Sequence, residues 1–312
     1  MSNSSLQRFP SSAAVNTYSR LHERIGSVAP GERFAVETMD CYGGHFRGEG
    51  WKSRQSHEWV EENLNAVTGP VQVRGARPGD AVAVRIHELE IVSPATMVIG
   101  PMTALSPDDW WLDNDESREL AIEDGRIALG EGLEVPVRPV IGCIAAAPRQ
   151  ESVRSINSGT FGGNQDCNLV TAGSTVLLPV EAEGALLFFG DCKARMGDGE
   201  IVHASECAMN ITAEATVLER PAAMSWPRIV TGEEIATVVS NPLFADAGRQ
   251  AFREMLLWVE AESGLSRKDA AVFLGMMAEV RVCQLSNLLH TACCTLGRDC
   301  LDQLGMTVEG LG

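Results

Sequence analysis

The chain has 312 residues, with 25 Lys and Arg against 42 Asp and Glu, a formal net charge of −17, and 45% hydrophobic residues. That apolar share builds a packed core and excludes a disordered chain, while the acidity leaves no basic face for nucleic acid or for an anionic membrane surface. No apolar run reaches the length of a membrane span, and the opening MSNSSLQRFPSSAAVNTYSR lacks both the basic and the apolar segment of a secretory signal.

In chain order, residues 1–20 are rich in Ser and Asn and read as a loose N-terminal arm. Residues 21–228 read as a β-rich core, because short alternating segments recur between Gly and Pro turns. Segments 34–39 (FAVETM) and 82–86 (VAVRI) each follow a Pro-Gly-acid turn and form a weak internal echo. Segments 71–73, 176–178, 185–189 and 206–218 add strands, and 105–126 interrupts them as an acidic insertion. Strands of this length with turns between them predict a sandwich or barrel-like sheet system.

Residues 229–312 change character. Phe252, Met255, Leu256 and Val259 make the apolar stripe of a helix over 245–263, Gly264 stops it, and Ser266 with Asp269 opens a second helix to about residue 277. Strands over 234–239 and 280–285 make this an α+β portion on a mostly β protein. The nine cysteines (41, 143, 167, 192, 207, 283, 293, 294 and 300) contain no CxxC pair and are odd in number, which points to buried reduced thiols in a cytoplasmic protein.

Two segments combine glycine with acid: 161–174 (FGGNQDCNLVTAGS) and 189–200 (FGDCKARMGDGE). Glycines at these spacings allow tight turns that aim Asp166, Asp191, Asp198 and Glu200 at one point, where a cation or a shared proton must offset their repulsion. The same composition also serves ordinary hairpin turns. Asp40 and His45 end the first clear strand, and Asn65 precedes the turn 68–70 (TGP).

The ordered blocks 68–84 (TGPVQVRGARPGDAVAV), 141–148 (IGCIAAAP), 162–180 (GGNQDCNLVTAGSTVLLPV) and 190–200 (GDCKARMGDGE) resemble the acetamidase/formamidase family over about residues 25–290. The resemblance implies hydrolysis of a small linear amide to carboxylate and ammonia by a homo-oligomer associated with a divalent metal, zinc or calcium. Carried onto this chain, it implies Asp40, Asp166 and Asp191 as metal ligands and Glu200, Lys193 and Asp198 as catalytic residues. Asn65, Gly163 and Asn164 then become the substrate-binding candidates. In this scheme Glu200 takes a proton from water and Lys193 stabilises the tetrahedral oxygen.

Lys193 stands where the family usually has His, and Asn65 where some relatives have His. A protonated lysine cannot ligate a metal. His45 and His203 remain as nitrogen donors outside the family's motif positions. Two further readings follow: a metal-free, Lys-assisted amidase with Thr171 or Ser174 as nucleophile, and a member that binds a small amide or acid without hydrolysing it. Asp109, Trp110 and Trp111 of the insertion are candidates for a pocket wall or an interface.

Overall fold

The computed structural model describes residues 6–46, 52–53, 62–99, 116–221 and 223–307. The protein is mostly β, with its main helices in the C-terminal portion. The expected alternating segments become the strands Arg33–Glu37, Val67–Val73, Asp80–Ile91, Thr175–Pro179 and Leu187–Arg195. Their inward residues form one apolar cluster, which includes Val36, Val84, Ile86, Ile141, Phe189 and Ile211 and is contributed by both large sheets. Burial of such branched and aromatic side chains contributes about 1.5–3 kcal/mol each, so the sheets are held face to face mainly by this layer.

The first sheet has nine strands and contains both segments of the internal echo. Arg33–Glu37 and Asp80–Ile91 flank the same strand, Met209–Glu219, on either side. This sheet continues through Arg228–Val230, Glu234–Asn241, His290–Gly297 and Glu279–Gln284, so it runs unbroken from the N-terminal to the C-terminal portion. The helices Phe244–Ser263 and Arg267–Met277 cover its C-terminal part through Met255, Trp258, Val259 and Leu274. Gly264 ends the first helix in the left-handed conformation, φ 70°, and the Ser266 hydroxyl accepts the Asp269 N–H at 3.2 Å to cap the second.

Three expectations change. Residues 7–19 are paired rather than loose. Gln7–Phe9 runs parallel to Arg33–Glu37, and Thr17–Ser19 pairs with Ser152–Arg154, because Phe9 and Tyr18 bury their rings where the Ser-rich composition suggested none. The segment 206–218 is two strands, not one: Ser205–Glu206 belongs to the second, eleven-stranded sheet and Met209–Glu219 to the first. Within the proposed insertion, 116–126 forms strands or their connection, while 105–115, including Asp109, Trp110 and Trp111, lies outside the described residues. Among the described residues no helix is long and apolar enough to cross a membrane.

Candidate active site

The site is built on the strand Leu187–Arg195, where Asp191 and Lys193 stand two residues apart and therefore face the same way. Lys193 is in register with Glu206 on the adjoining strand Ser205–Glu206, an opposite-charge cross-strand pair. On the other side runs Val140–Ala146, whose Gly142 leaves the space the carboxylates occupy. A Cβ there would lie 2.6 Å from Asp191 Oδ2 and would also collide with Asp166 Oδ1. Asp166 follows the strand Gly162–Asn164, with its N–H directed to the Gly142 carbonyl at 3.2 Å. Glu200 sits in the GDGE turn, which is anchored by the Gly199 N–H on the Cys283 carbonyl at 3.0 Å.

These elements bring four carboxylates onto one ammonium. Lys193 Nζ lies 2.9 Å from Asp191 Oδ1, 3.1 Å from Asp166 Oδ1, 3.1 Å from Glu206 Oε1 and 3.3 Å from Glu200 Oε1. All five residues are buried, and the Lys193 side chain is 1% exposed. Three of the four acids also hold left-handed backbones, with φ of 47° at Asp166, 53° at Asp191 and 45° at Glu200. Non-glycine residues in such a conformation cost about 1–3 kcal/mol each and persist where surrounding structure imposes them.

Protonation follows from the crowding. Burial, then the Glu200 charge, pushes Asp166 well above the ordinary carboxylate range, against the pull of Lys193. Burial likewise raises Glu206, with Asp191 and Glu200 adding to it and Lys193 opposing. Burial also works against ionising Asp191, yet the Lys193 charge and hydrogen bonds from Lys193, Glu206 and Asp166 outweigh it and hold that carboxyl low. For Lys193 burial disfavours the charge, but Asp166, Asp191, Glu200 and Glu206 together hold its pKa well above the usual lysine value. The cluster therefore keeps an ionised Asp191 beside protonated carboxyls that share its single cation.

A cavity of about 30 Å³ opens on this cluster, lined by Cys41, Asn65, Asn164, Asp191, Glu200, His203, Glu206, Ser286 and Asn287 among others. That is room for roughly two waters. Lys193 is absent from the wall and stands behind Asp191 and Glu206. The Asn65 amide donates toward the Cys143 sulfur at 3.5 Å, the Asn164 amide donates to the Ile156 carbonyl at 3.3 Å, and Ser286 donates to Glu200 Oε2 at 3.1 Å.

Among the residues the sequence singled out, Asp166, Asp191, Lys193 and Glu200 meet, with Asn65 and Asn164 at the cavity. Gly163 is packed against Asn157 and Ser158, paired with Ser158 across a two-strand contact, away from the cavity wall. Asp198 lies outside the cluster: its carboxylate accepts from the Asn168 amide at 2.7 Å and pairs with Arg281 at 3.3 Å, with its side chain 45% exposed. The GDGE turn aims consecutive acids apart, so only Glu200 points inward.

Asp40 closes a turn, with Oδ1 accepting the N–H of Tyr42 and of Gly44 at 3.1 and 2.7 Å, and it is not among the four carboxylates on Lys193. Its neighbour Cys41, in the turn, lines the cavity instead. Of the alternative nucleophiles, the Thr171 hydroxyl donates to the Pro139 carbonyl and the Ser174 hydroxyl to the Thr171 carbonyl, each at 2.7 Å, so both lock a turn. His203 lines the cavity, whereas the His45 ring packs on Phe46.

Glu206 was not legible. Its signal, an acid at the head of an apolar alternating run, is assigned to the wrong sheet if 206–218 is read as one strand.

Among the described residues, two groups of side chains hold ligating atoms within 4.8 Å of one another and could hold a metal: Cys41 with Asp191 and Glu206, and Cys167 with Cys283 and Cys293. The divalent ion implied at Asp40, Asp166 and Asp191 does not fit the residues present. Asp40 is spent on its turn, and the Lys193 ammonium stands where the carboxylate oxygens converge, so a dication there would face a like charge at close range.

The sequence pattern of the acetamidase/formamidase family matches residues 5–97 and 92–223. The chain belongs to this family. The acetamidase crystal structure from Bacillus halodurans superposes with a TM-score of 0.89 at 29% identity, covering 96% of this chain and 100% of that one. A Thermoanaerobacter tengcongensis protein assigned as an acetamidase/formamidase gives the same TM-score, 0.89, and the same 29% identity, covering 96% and 98%. A Schizosaccharomyces pombe protein assigned as a formamidase is 24% identical over 266 residues, 65% of this chain, and this chain spans 64% of that relative's length. The site's own geometry is a lysine at the focus of four acids.

Proposed function

We propose that the chain hydrolyses the C–N bond of a very small linear amide to carboxylate and ammonia in the cavity beside Asp191 and Glu206. The observation that carries this reading is the pair of carboxyls on one cavity wall whose environments push their protonation states apart. Such a pair supplies a base and an acid at the same pH. Asp191 takes a proton from a water as its oxygen attacks the amide carbon. Glu206 gives its proton to the nitrogen as the C–N bond breaks and ammonia leaves. The proton then passes from Asp191 back to Glu206 within the cluster.

The Asn65 side-chain amide, which donates to the Cys143 sulfur at a long 3.5 Å, is the donor for the carbonyl oxygen. Lys193 acts through Asp191 and Glu206 as a positioning residue, doing from behind the wall what the implied ion would do from the front. The acetamidase and formamidase names of the relatives support a small amide as substrate.

Ammonia release over formamide, acetamide and larger amides tests the proposal. We expect turnover of the smallest amides that survives exhaustive chelation and falls about 10²–10⁴-fold in Glu206→Gln. No release from any amide, or activity wholly dependent on an added divalent ion, would overturn it. Tight ligand binding without release would leave the non-hydrolytic reading in its place.

A second reading rests on Cys41, whose sulfur lies within 4.8 Å of Asp191 and Glu206 oxygens at the same cavity. Here the thiol passes its proton to Asp191, sulfur attacks the carbonyl carbon, ammonia leaves with the Glu206 proton, and water hydrolyses the thioester. Burial raises this thiol well above its usual range and keeps it neutral, which favours the water route. Trapping of an acyl group on Cys41 at substrate saturation would reverse the order of the two readings.

A further inference from the structure

A second set of ligating atoms plays no part in the amide chemistry. Cys167 follows Asp166 in its loop, Cys283 lies on Glu279–Gln284, and Cys293 lies on His290–Gly297. Their three sulfurs lie within 4.8 Å of one another, and the residues are only 2%, 1% and 2% exposed. Cys293 pairs with Arg281, and the register shifts between Val282 and Gln284, so Cys283 is the bulged residue two positions on from Arg281. Cys283 and Cys293 therefore share a face, toward which the Cys167 loop descends.

Metal–sulfur bonds of about 2.3 Å set sulfurs at most about 4.6 Å apart, so small shifts close the three onto one ion. Arg281 adds positive charge beside Cys293. Hydrogen bonds from Cys167 and Cys283, with Arg281 helping and burial opposing, hold the Cys293 thiol down to about 4, while Cys167 and Cys283 are pushed up. The contrast with the carboxylate cluster is direct, since among the described residues no side-chain cation sits at the focus of the sulfurs as Lys193 does among the acids.

We propose that Cys167, Cys283 and Cys293 form a binding site for a thiophilic d¹⁰ cation, Zn²⁺ or Cu(I), apart from the amide cavity. An all-sulfur donor set selects soft ions and rejects Mg²⁺ and Ca²⁺. Binding forms three metal–sulfur bonds and releases the thiol protons to solvent. An ion there would also tie together the two loops that feed the cavity. Cys167 adjoins Asp166, and the Cys283 carbonyl holds the Gly199 N–H beside Glu200 at 3.0 Å.

The test is an anaerobic titration of the reduced full chain with Cd²⁺, as the probe for a zinc site, and separately with Cu(I). The near-ultraviolet sulfur-to-metal charge-transfer band is followed together with proton release. We expect saturation at one ion per chain with release of thiol protons, and an affinity at least tenfold weaker in Cys293→Ser and in Cys167→Ser. Cys294→Ser and Cys207→Ser should match the wild type, and Mg²⁺ and Ca²⁺ should give no response. Because proton release and stoichiometry are read on the wild type, a misfolded variant does not shield the proposal. Absence of the band in the wild type, its survival when all three cysteines are replaced, or its loss in Cys41→Ser alone would overturn it, the last by moving the ion to Cys41, Asp191 and Glu206.

Discussion

The two buried clusters of this protein solve one electrostatic problem in different ways. Around Asp191, four acids from separate segments converge on a lysine of their own chain. Around Cys293, three thiols converge with an arginine to one side and no side-chain cation between them. A built-in ammonium compensates the buried carboxylates from within the chain, whereas the thiols have only an arginine to one side and, in the proposal above, a soft ion. What decides whether a cluster of ligands is a metal site is thus the charge already placed inside it, more than the count of ligands.

The sharpest way to break the comparison is Lys193→Met. Removing one partner of a buried ionic network leaves the others uncompensated, and we expect a loss of about 3–5 kcal/mol in denaturant unfolding near neutral pH. An unchanged midpoint would mean that the lysine does not hold the acids together. Lys193→His, which puts a neutral nitrogen donor in place of the ammonium, should raise the affinity of this cluster for a divalent ion above that of the wild type, read by equilibrium dialysis.

Gly142→Ala comes next. Its Cβ would collide with Asp166 and Asp191, and overpacking of this kind costs about 1–3 kcal/mol. Activity should fall more steeply than stability, because Asp191 is displaced. Equal activity in the alanine variant would show that the acids need not lie where they do.

The third test is pH. Asp166 and Glu206 are raised in the folded chain, so their stabilising contribution is complete below the ordinary carboxylate range and is lost as pH rises through the raised values. Asp191 runs the other way, its contribution present above the ordinary value and lost as pH falls through the depressed one. The Lys193 contribution persists up to its raised value. Unfolding free energy should therefore decline from weakly acidic to weakly alkaline pH, with a flatter slope in Asp166→Asn and Glu206→Gln. A slope unaltered by both substitutions would place the titration elsewhere.

The smallest effect is expected at Asp198. Its pair with Arg281 is partly solvent-exposed, and pairs of that kind contribute about 0–1 kcal/mol. Asp198→Asn should change amide turnover little. A loss as large as that of Glu206→Gln would return Asp198 to the catalytic role implied by the family's GDGE block.

The strands and both long helices were legible because their signals are local: alternation in 34–39 and 82–86, the stripe from Phe252 to Val259, and the Ser266 cap. Four of the five residues of the buried cluster were legible as well, since Asp166, Asp191, Lys193 and Glu200 lie in glycine-rich blocks that stand out from ordinary strand. Glu206 was not, because nothing local marks the break at Cys207 and Ala208 that sends it to a different sheet. Asp40 and Cys41 were both visible, but which one faces inward depends on where the turn after Glu37 begins.

By itself the sequence determined a β-rich, acidic chain of the acetamidase/formamidase kind, with Lys193 inside an acidic, glycine-rich block. Only the tertiary structure decided that this lysine sits at the focus of four carboxylates, that Asp198 and Asp40 stand aside, and that Cys167 meets Cys283 and Cys293. The physical reason is that charge compensation and ligand convergence depend on distances of a few ångströms between segments far apart in the chain, set by sheet register and packing rather than by local pattern.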